Sequence, residues 1–164
     1  MYDTLRKKIQ SKKYSVGIIG LGYVGLPLAL KYINEGIKVY GIDHDKKKIQ
    51  KHKKGISYIK SIKTNYFKKN PHQVSTKYSL IKNCDIIFIC LPTPLKNKKP
   101  DLRYIFDCVR NLKPYFLPGQ LIILESTVYP GVTRKIKKYV KGKNLKVGKN
   151  IFLGYSPERE NPGD

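Results

Sequence analysis

Between residues 15 and 43 the chain carries an arrangement that leaves few folds open. A continuous apolar, β-branched run, Ser15–Ile19, leads into Gly20-Leu21-Gly22-Tyr23-Val24-Gly25, three glycines at the spacing G-x-G-x-x-G. From residue 24 to 32 the period changes to that of a helix: Val24, Leu28 and Tyr32 recur every fourth residue, with Leu26, Leu30 and Ile33 beside them, and Gly36 closes the pattern. A second short apolar run, Lys38–Ile42, ends on Asp43. An uninterrupted apolar run reads as a strand covered on both faces, the usual state of parallel strands. Strand, glycine turn, helix and strand within about 30 residues make one βαβ unit.

The alternation continues along the chain. Residues 45–53 predict a short helix, 55–59 a loop, and the stretch to Pro71 is polar. Residues 74–76 form a candidate short strand, and 85–91 a buried one closed by Pro92-Thr93-Pro94. The Lys-rich segment 96–100 reads as a loop before a helix over 102–112. Pro118-Gly119 marks a turn, 120–125 another buried strand, 133–140 a helix and 151–155 a last strand. Strands alternating with helices predict an α/β fold, a Rossmann-type doubly wound parallel sheet. A basic lead-in over residues 1–13, with room for a short helix, precedes a single domain over 14–164.

The glycines carry a chemical expectation. In such a turn Gly20 permits the sharp reversal, Gly22 lets the backbone approach a pyrophosphate, and Gly25 lets the helix pack closely on the strand. The loop residues Leu21, Tyr23 and Val24 lead into a helix N-terminus, whose N–H groups and partial positive charge suit phosphates. Asp43 stands eighteen residues after Gly25, where a carboxylate accepts from ribose hydroxyls and repels a 2′-phosphate, so NAD is expected over NADP. Lys46, Lys47 and Lys48 soften that preference. The plainer reading is a tight strand–helix turn with Asp43 as a helix cap.

Composition narrows the alternatives. The formal charge is +23, yet only five of the 34 basic residues are Arg. A nucleic-acid surface favours Arg for its bidentate contacts and stacking, and here Lys is scattered over nearly every segment, so no specific nucleic-acid partner is expected. No apolar run approaches the roughly 20 residues of a membrane span, and residues 1–13 lack the apolar core of a signal peptide, which points to the cytoplasm and no membrane partner. Cys84, Cys90 and Cys108 fit neither a zinc pattern nor a redox pair; they read as small buried hydrophobes, and no metal is expected.

Several stretches together resemble one family: GIIGLGYVGLPLAL (17–30), GIDHDKKKI (41–49), ICLPTPL (89–95), PDLRYI (100–105), LESTVYPGV (124–132) and FLGYSPERENPG (152–163). They are similar to the N-terminal domain of the UDP-glucose/GDP-mannose dehydrogenase family, and the wording of the last two is closest to UDP-N-acetylhexosamine 6-dehydrogenases. The resemblance implies a four-electron oxidation in which two hydrides pass from C6 of a nucleotide sugar to two NAD molecules, turning a primary alcohol into a carboxylate. It also implies that Thr93, Ser126 and Thr127 lie beside the cofactor, that Lys48 supports the adenosine end, and that Thr127 helps hold a catalytic water. Glu158 matches the glutamate assigned to acid–base work on a thioester intermediate. On spacing alone these residues have plainer readings: Thr93 in a rigid proline loop, Ser126 and Thr127 as turn caps, Glu158 as a surface acid.

The family's covalent step uses a cysteine in a glycine-rich motif, with a lysine, an asparagine and an aspartate further along. A central helical segment builds its dimer, and a C-terminal domain binds the nucleotide sugar. None of these is matched here, and all three cysteines precede the glutamate that the nucleophile should follow. The expectation is the NAD-holding portion of such an enzyme, inactive alone, from a truncated frame, a split gene or a trimmed chain. Its nucleotide-sugar substrate and dimer partner would come only with the missing part. A free-standing module that holds NAD and catalyses nothing is the alternative.

Overall fold

The computed structural model describes residues 1–60, 62, 73–142 and 144–157. In chain order these supply α1 (Tyr2–Gln10), β1 (Ser15–Ile19), α2 (Gly25–Asn34), β2 (Lys38–Ile42), α3 (Lys46–Lys53) and β3 (Gln73–Ser75). Then follow β4 (Ile86–Ile89), the short pair β5 (Leu95–Lys96) and β6 (Lys99–Pro100), α4 (Arg103–Leu112), β7 (Leu121–Leu124), α5 (Val132–Val140) and β8 (Phe152–Tyr155). The polar stretch running to Pro71 lies largely outside the described residues.

Six strands pair in the order β3-β2-β1-β4-β7-β8, and every pairing is parallel. The chain builds outward from β1 to one edge, then crosses to β4 and builds toward the other, which leaves a switch point between β1 and β4. This is the doubly wound sheet that the alternating runs predict. Strand and helix ends fall within about two residues of the expected ones, the usual latitude of such boundaries.

Side chains alternate across the strands and feed two cores. Val16 and Ile18 of β1, Val39 of β2 and Ile86 and Phe88 of β4 face α2 and α3, packing with Ala29 and Ile49. Ile87 and Ile89 of β4 with Ile122 and Leu124 of β7 face α4 and α5, against Ile105, Leu112, Ile136 and Val140. Each such side chain taken from water contributes roughly 1.5–3 kcal/mol before the entropy cost of ordering it. These apolar contacts cover both faces and leave the strand ends for function.

One segment differs from the reading above, and a second agrees with it but goes further. Residues 96–100, expected as a loop, contain a tight antiparallel hairpin in which Leu95 pairs with Pro100 and Lys96 with Lys99. Its turn residues Asn97 and Lys98 sit at φ 51° and 60°, the left-handed values that two-residue hairpins require. The basic lead-in is a helix docked on the sheet: Leu5 is buried, and Lys8 Nζ stands 2.6 Å from Asp85 Oδ1 at the start of β4.

Candidate functional site

Parallel strands all end at the same side of the sheet, so the loops after β1, β2, β4 and β7 share one edge. A cleft of about 390 Å³ opens there at the switch point, with Gly22, Tyr23, Asp43, Lys48, Thr93 and Thr127 on its walls. Gly20, Val24 and Ser126 also line it, whereas Leu21 is fully buried beneath the loop and Gly25 lies in the first turn of α2. The structure thus gathers the sequence-predicted residues from four separate loops around one cavity. Glu158 lies outside the described residues.

The three glycines meet different constraints. Gly20 has φ +91°, and a Cβ on it would fall 2.5 Å from the carbonyl oxygen of Cys90. A Cβ on Gly25 would fall 1.9 Å from the carbonyl oxygen of Gly20, so the close seating of α2 on the β1 turn excludes any side chain. Gly22 is required by neither: a Cβ there meets nothing within 4 Å. Its open face belongs to the cleft, and the N–H groups of Gly22, Tyr23 and Val24 find no acceptor among the described residues. Pro27, in the first turn of α2, has no N–H to satisfy and suits a position where the donor would be spare. Unpaired amides at a helix start, approached by a backbone without side chain, form a cradle for a phosphate group. These residues fit the diphosphate of a dinucleotide.

Asp43 closes the other side. It is buried, and Oδ2 accepts from the Leu21 N–H at 2.9 Å while Oδ1 accepts from the Asp45 N–H at 2.9 Å. Lys48 Nζ lies 3.4 Å from Oδ2 and His44 Nδ1 3.5 Å from Oδ1. A buried carboxylate persists only with donors and cations of this kind around it. The helix-cap reading belongs to its neighbour: Asp45 is the N-cap of α3 and accepts from the N–H groups of Lys47 and Lys48. Asp43 therefore ties the glycine loop to the end of β2 while lining the cleft.

At the far side the loops after β4 and β7 are joined by hydroxyls. Thr93 Oγ1 donates to the Thr127 carbonyl at 2.9 Å. Buried Ser126 accepts from the Leu91 N–H at 2.9 Å and donates to the Ile89 carbonyl at 3.2 Å, so its hydroxyl proton is committed within the chain. Thr127 is exposed, and its hydroxyl has no partner among the described residues. All three cysteines are buried, and burial pushes the thiols of Cys84 and Cys108 up to about 12, which leaves both protonated and unreactive at neutral pH.

Three residues of this region escape the sequence reading. His44 and Glu125 line the cleft, and Tyr58, from the loop after α3, donates its hydroxyl to the Leu21 carbonyl at 3.0 Å. Glu125 and His44 each adjoin a residue that was singled out, so strand-end position could have flagged them. Nothing in spacing marks a lone tyrosine in a loop. Among the described residues no group of His, Cys, Asp and Glu is disposed to hold a metal ion, and no helix is long and apolar enough to cross a membrane.

Comparison with known proteins adds a family. The profile of the UDP-glucose/GDP-mannose dehydrogenase family, NAD binding domain, matches residues 14–164. The UDP-N-acetyl-D-mannosamine dehydrogenase of Methanococcus aeolicus is 37% identical, over 98% of this chain and 37% of its own length. Protein CapL of Staphylococcus aureus is 35% identical, over 92% of this chain and 36% of its own. The structure of NDP-N-acetyl-D-galactosaminuronic acid dehydrogenase from Methanosarcina mazei superposes with a TM-score of 0.83 at 29% identity, over 97% of this chain and 38% of that one. The chain therefore spans little more than a third of the length of these relatives. It belongs to the UDP-glucose/GDP-mannose dehydrogenase family, and what it shares with that family is the NAD binding domain.

Proposed function

We propose that this chain is the cofactor-holding portion of a nucleotide-sugar 6-dehydrogenase of the UDP-hexose or UDP-N-acetylhexosamine class. The observation that carries the reading is the open face of Gly22, with its neighbouring unpaired amides, set across the cleft from buried Asp43. The amides of Gly22, Tyr23 and Val24 take the diphosphate. Gly20 and Gly25 shape the turn, and Leu21 anchors it from below. Asp43 accepts from the adenosine ribose hydroxyls through the lone pairs its internal partners leave, and Lys48 balances its charge. That carboxylate disfavours a 2′-phosphate, so NAD binds in preference to NADP.

Thr93, Ser126 and Thr127 border the nicotinamide end, where bound NAD supplies a hydride acceptor. Thr93 fixes the Thr127 backbone, which leaves the Thr127 hydroxyl to hold a water. Glu158 would act on that water as acid and base. The reading places 1–13 as a basic lead-in to an NAD-binding domain over 14–164, in the cytoplasm and without a nucleic-acid partner. Substrate binding, the nucleophilic cysteine and dimer formation are supplied by residues with no counterpart here.

Calorimetric titration tests the cofactor half: NAD binds more tightly than NADP, and Asp43→Ala weakens NAD and narrows the gap. Equal affinities that Asp43→Ala leaves unchanged would remove Asp43 from the site. For the chemical half, the chain alone forms no NADH from a UDP-hexose, while adding the C-terminal portion of a relative restores turnover. Oxidation by the purified chain overturns that assignment, and binding without turnover in the mixture favours a module that only holds NAD.

A further inference from the structure

Leu21 is held at both of its peptide groups: its N–H by Asp43, and its carbonyl by the Tyr58 hydroxyl at 3.0 Å. The Leu21 carbonyl and the Gly22 N–H belong to one planar trans peptide and point in opposite directions. Tyr58 is not among the residues that line the cleft, whereas Gly22 is. Holding the carbonyl on the Tyr58 side turns the Gly22 N–H the other way, toward the cavity. Gly22 makes this hold necessary, because a residue without Cβ occupies positive and negative φ almost equally well. If that peptide turned over, a carbonyl oxygen would face the cavity in place of an N–H, and an anion there would meet the wrong sign of partial charge.

The loop that carries Tyr58 is itself fixed. Ser57 Oγ donates to the Ile59 carbonyl at 2.9 Å, and buried Ile59 packs on Leu26 and Leu30 of α2. Tyr58 therefore bridges the glycine loop to a segment already seated on the helix that follows it. Burial, with Asp43 and Asp45 nearby, raises the Tyr58 phenol, which keeps the hydroxyl a donor across the working pH range.

We propose that Tyr58 is a positioning residue for the diphosphate of the dinucleotide, acting through the Leu21–Gly22 peptide to present the Gly22 amide to the phosphate oxygens. This rests on the NAD-binding reading and adds to it a residue that touches no ligand. Losing one hydrogen bond of this kind corresponds to roughly a threefold to tenfold loss of affinity.

The test is Tyr58→Phe in the full chain, which keeps the packed ring, titrated with NAD, ADP and adenosine. NAD and ADP should weaken about threefold to tenfold, and adenosine, which lacks phosphate, should change by less than about twofold. Unchanged ADP affinity overturns the proposal, as does an equal loss for all three ligands, which signals general loosening. Should the variant not fold, a crystal structure of the wild-type chain with ADP decides. It should hold Tyr58 Oη on the Leu21 carbonyl and the Gly22 nitrogen about 2.7–3.2 Å from a phosphate oxygen; a Tyr58 swung away overturns the assignment. Wild-type protein that binds neither NAD nor ADP ends the wider reading as well, whereas wild-type binding with an indifferent Tyr58→Phe ends this one alone.

Discussion

A methyl group added at Gly25 would stand 1.9 Å from the Gly20 carbonyl oxygen, while one added at Gly22 has nothing within 4 Å. Gly25→Ala must therefore push α2 off the sheet, and it should yield protein that melts far below wild type or fails to fold. Gly22→Ala should melt within a few degrees of wild type yet bind NAD at least about tenfold more weakly, because the methyl occupies the space a phosphate needs. Calorimetry showing wild-type affinity for Gly22→Ala would contradict the cradle. Ser126 separates structure from binding in the other direction. Ser126→Ala removes the acceptor of the half-buried Leu91 N–H, a loss of roughly 0.5–1.5 kcal/mol in a denaturant titration. The Ile89 carbonyl keeps two other donors, the amides of Glu125 and Ser126, so the loss stops there. A stability unchanged in Ser126→Ala would mean that the hydroxyl serves something other than the chain.

The N-terminal edge of the sheet is drawn together by one carboxylate. Asp85 accepts from Lys8 of α1 and from the N–H and hydroxyl of Ser15 in β1, while its own N–H donates to the Ser15 carbonyl. Burial pushes its carboxyl up, but the Lys8 and Ser15 donors outweigh burial and hold it below the ordinary aspartate value. A carboxyl depressed by folding stabilises above its unfolded pKa, and that stability drains as pH falls through the folded value. In acid titrations the wild-type chain should lose stability more steeply than Asp85→Asn; coincident curves would deny the clamp. The Lys8 contribution alone is modest, about 0.2–1 kcal/mol, since that ion pair is partly exposed. Elements of this sort mark the limit of legibility. The central strands β1, β2, β4 and β7 are plain in the sequence because strands covered on both faces must be unbroken apolar runs. The α1 dock is not, because a helix held by Leu5, Lys8 and one long-range carboxylate carries little periodicity. The β5–β6 hairpin turns on Asn97 and Lys98 without the glycine that would announce it. In the site, the glycine loop and Asp43 are legible because backbone geometry dictates residue type, whereas Tyr58 acts on a carbonyl thirty-seven positions away, a relation only the fold creates.

At the scale of the whole molecule, the core between the sheet and α4 and α5 holds two thiols, Cys84 and Cys108, away from water. Cys84 and Cys108 are raised from 9.0 to about 12, chiefly by burial. Both stay protonated in the folded state at pH 9.0, where the unfolded chain has already lost half of these thiol protons. Between those values the unfolded state binds fewer protons than the native one, so stability present at neutral pH falls as pH rises. Each thiol contributes a slope of at most about 1.4 kcal/mol per pH unit once the unfolded thiol is ionised. The chain also carries a formal charge of +23, and ionising tyrosines and neutralising lysines shift stability over the same range. Absolute alkaline curves thus mix several groups, and the informative quantity is a difference. In reducing buffer, denaturant titrations from about pH 8 to pH 10.5 should give a shallower decline for Cys84→Ala/Cys108→Ala than for wild type, the two curves converging as pH rises. Iodoacetamide should leave Cys84 and Cys108 of the native protein unlabelled at pH 7.5 and modify both after unfolding. Parallel alkaline curves, or fast native labelling at either position, would show these thiols open to solvent and would return a reactive cysteine to the chemistry available within these residues.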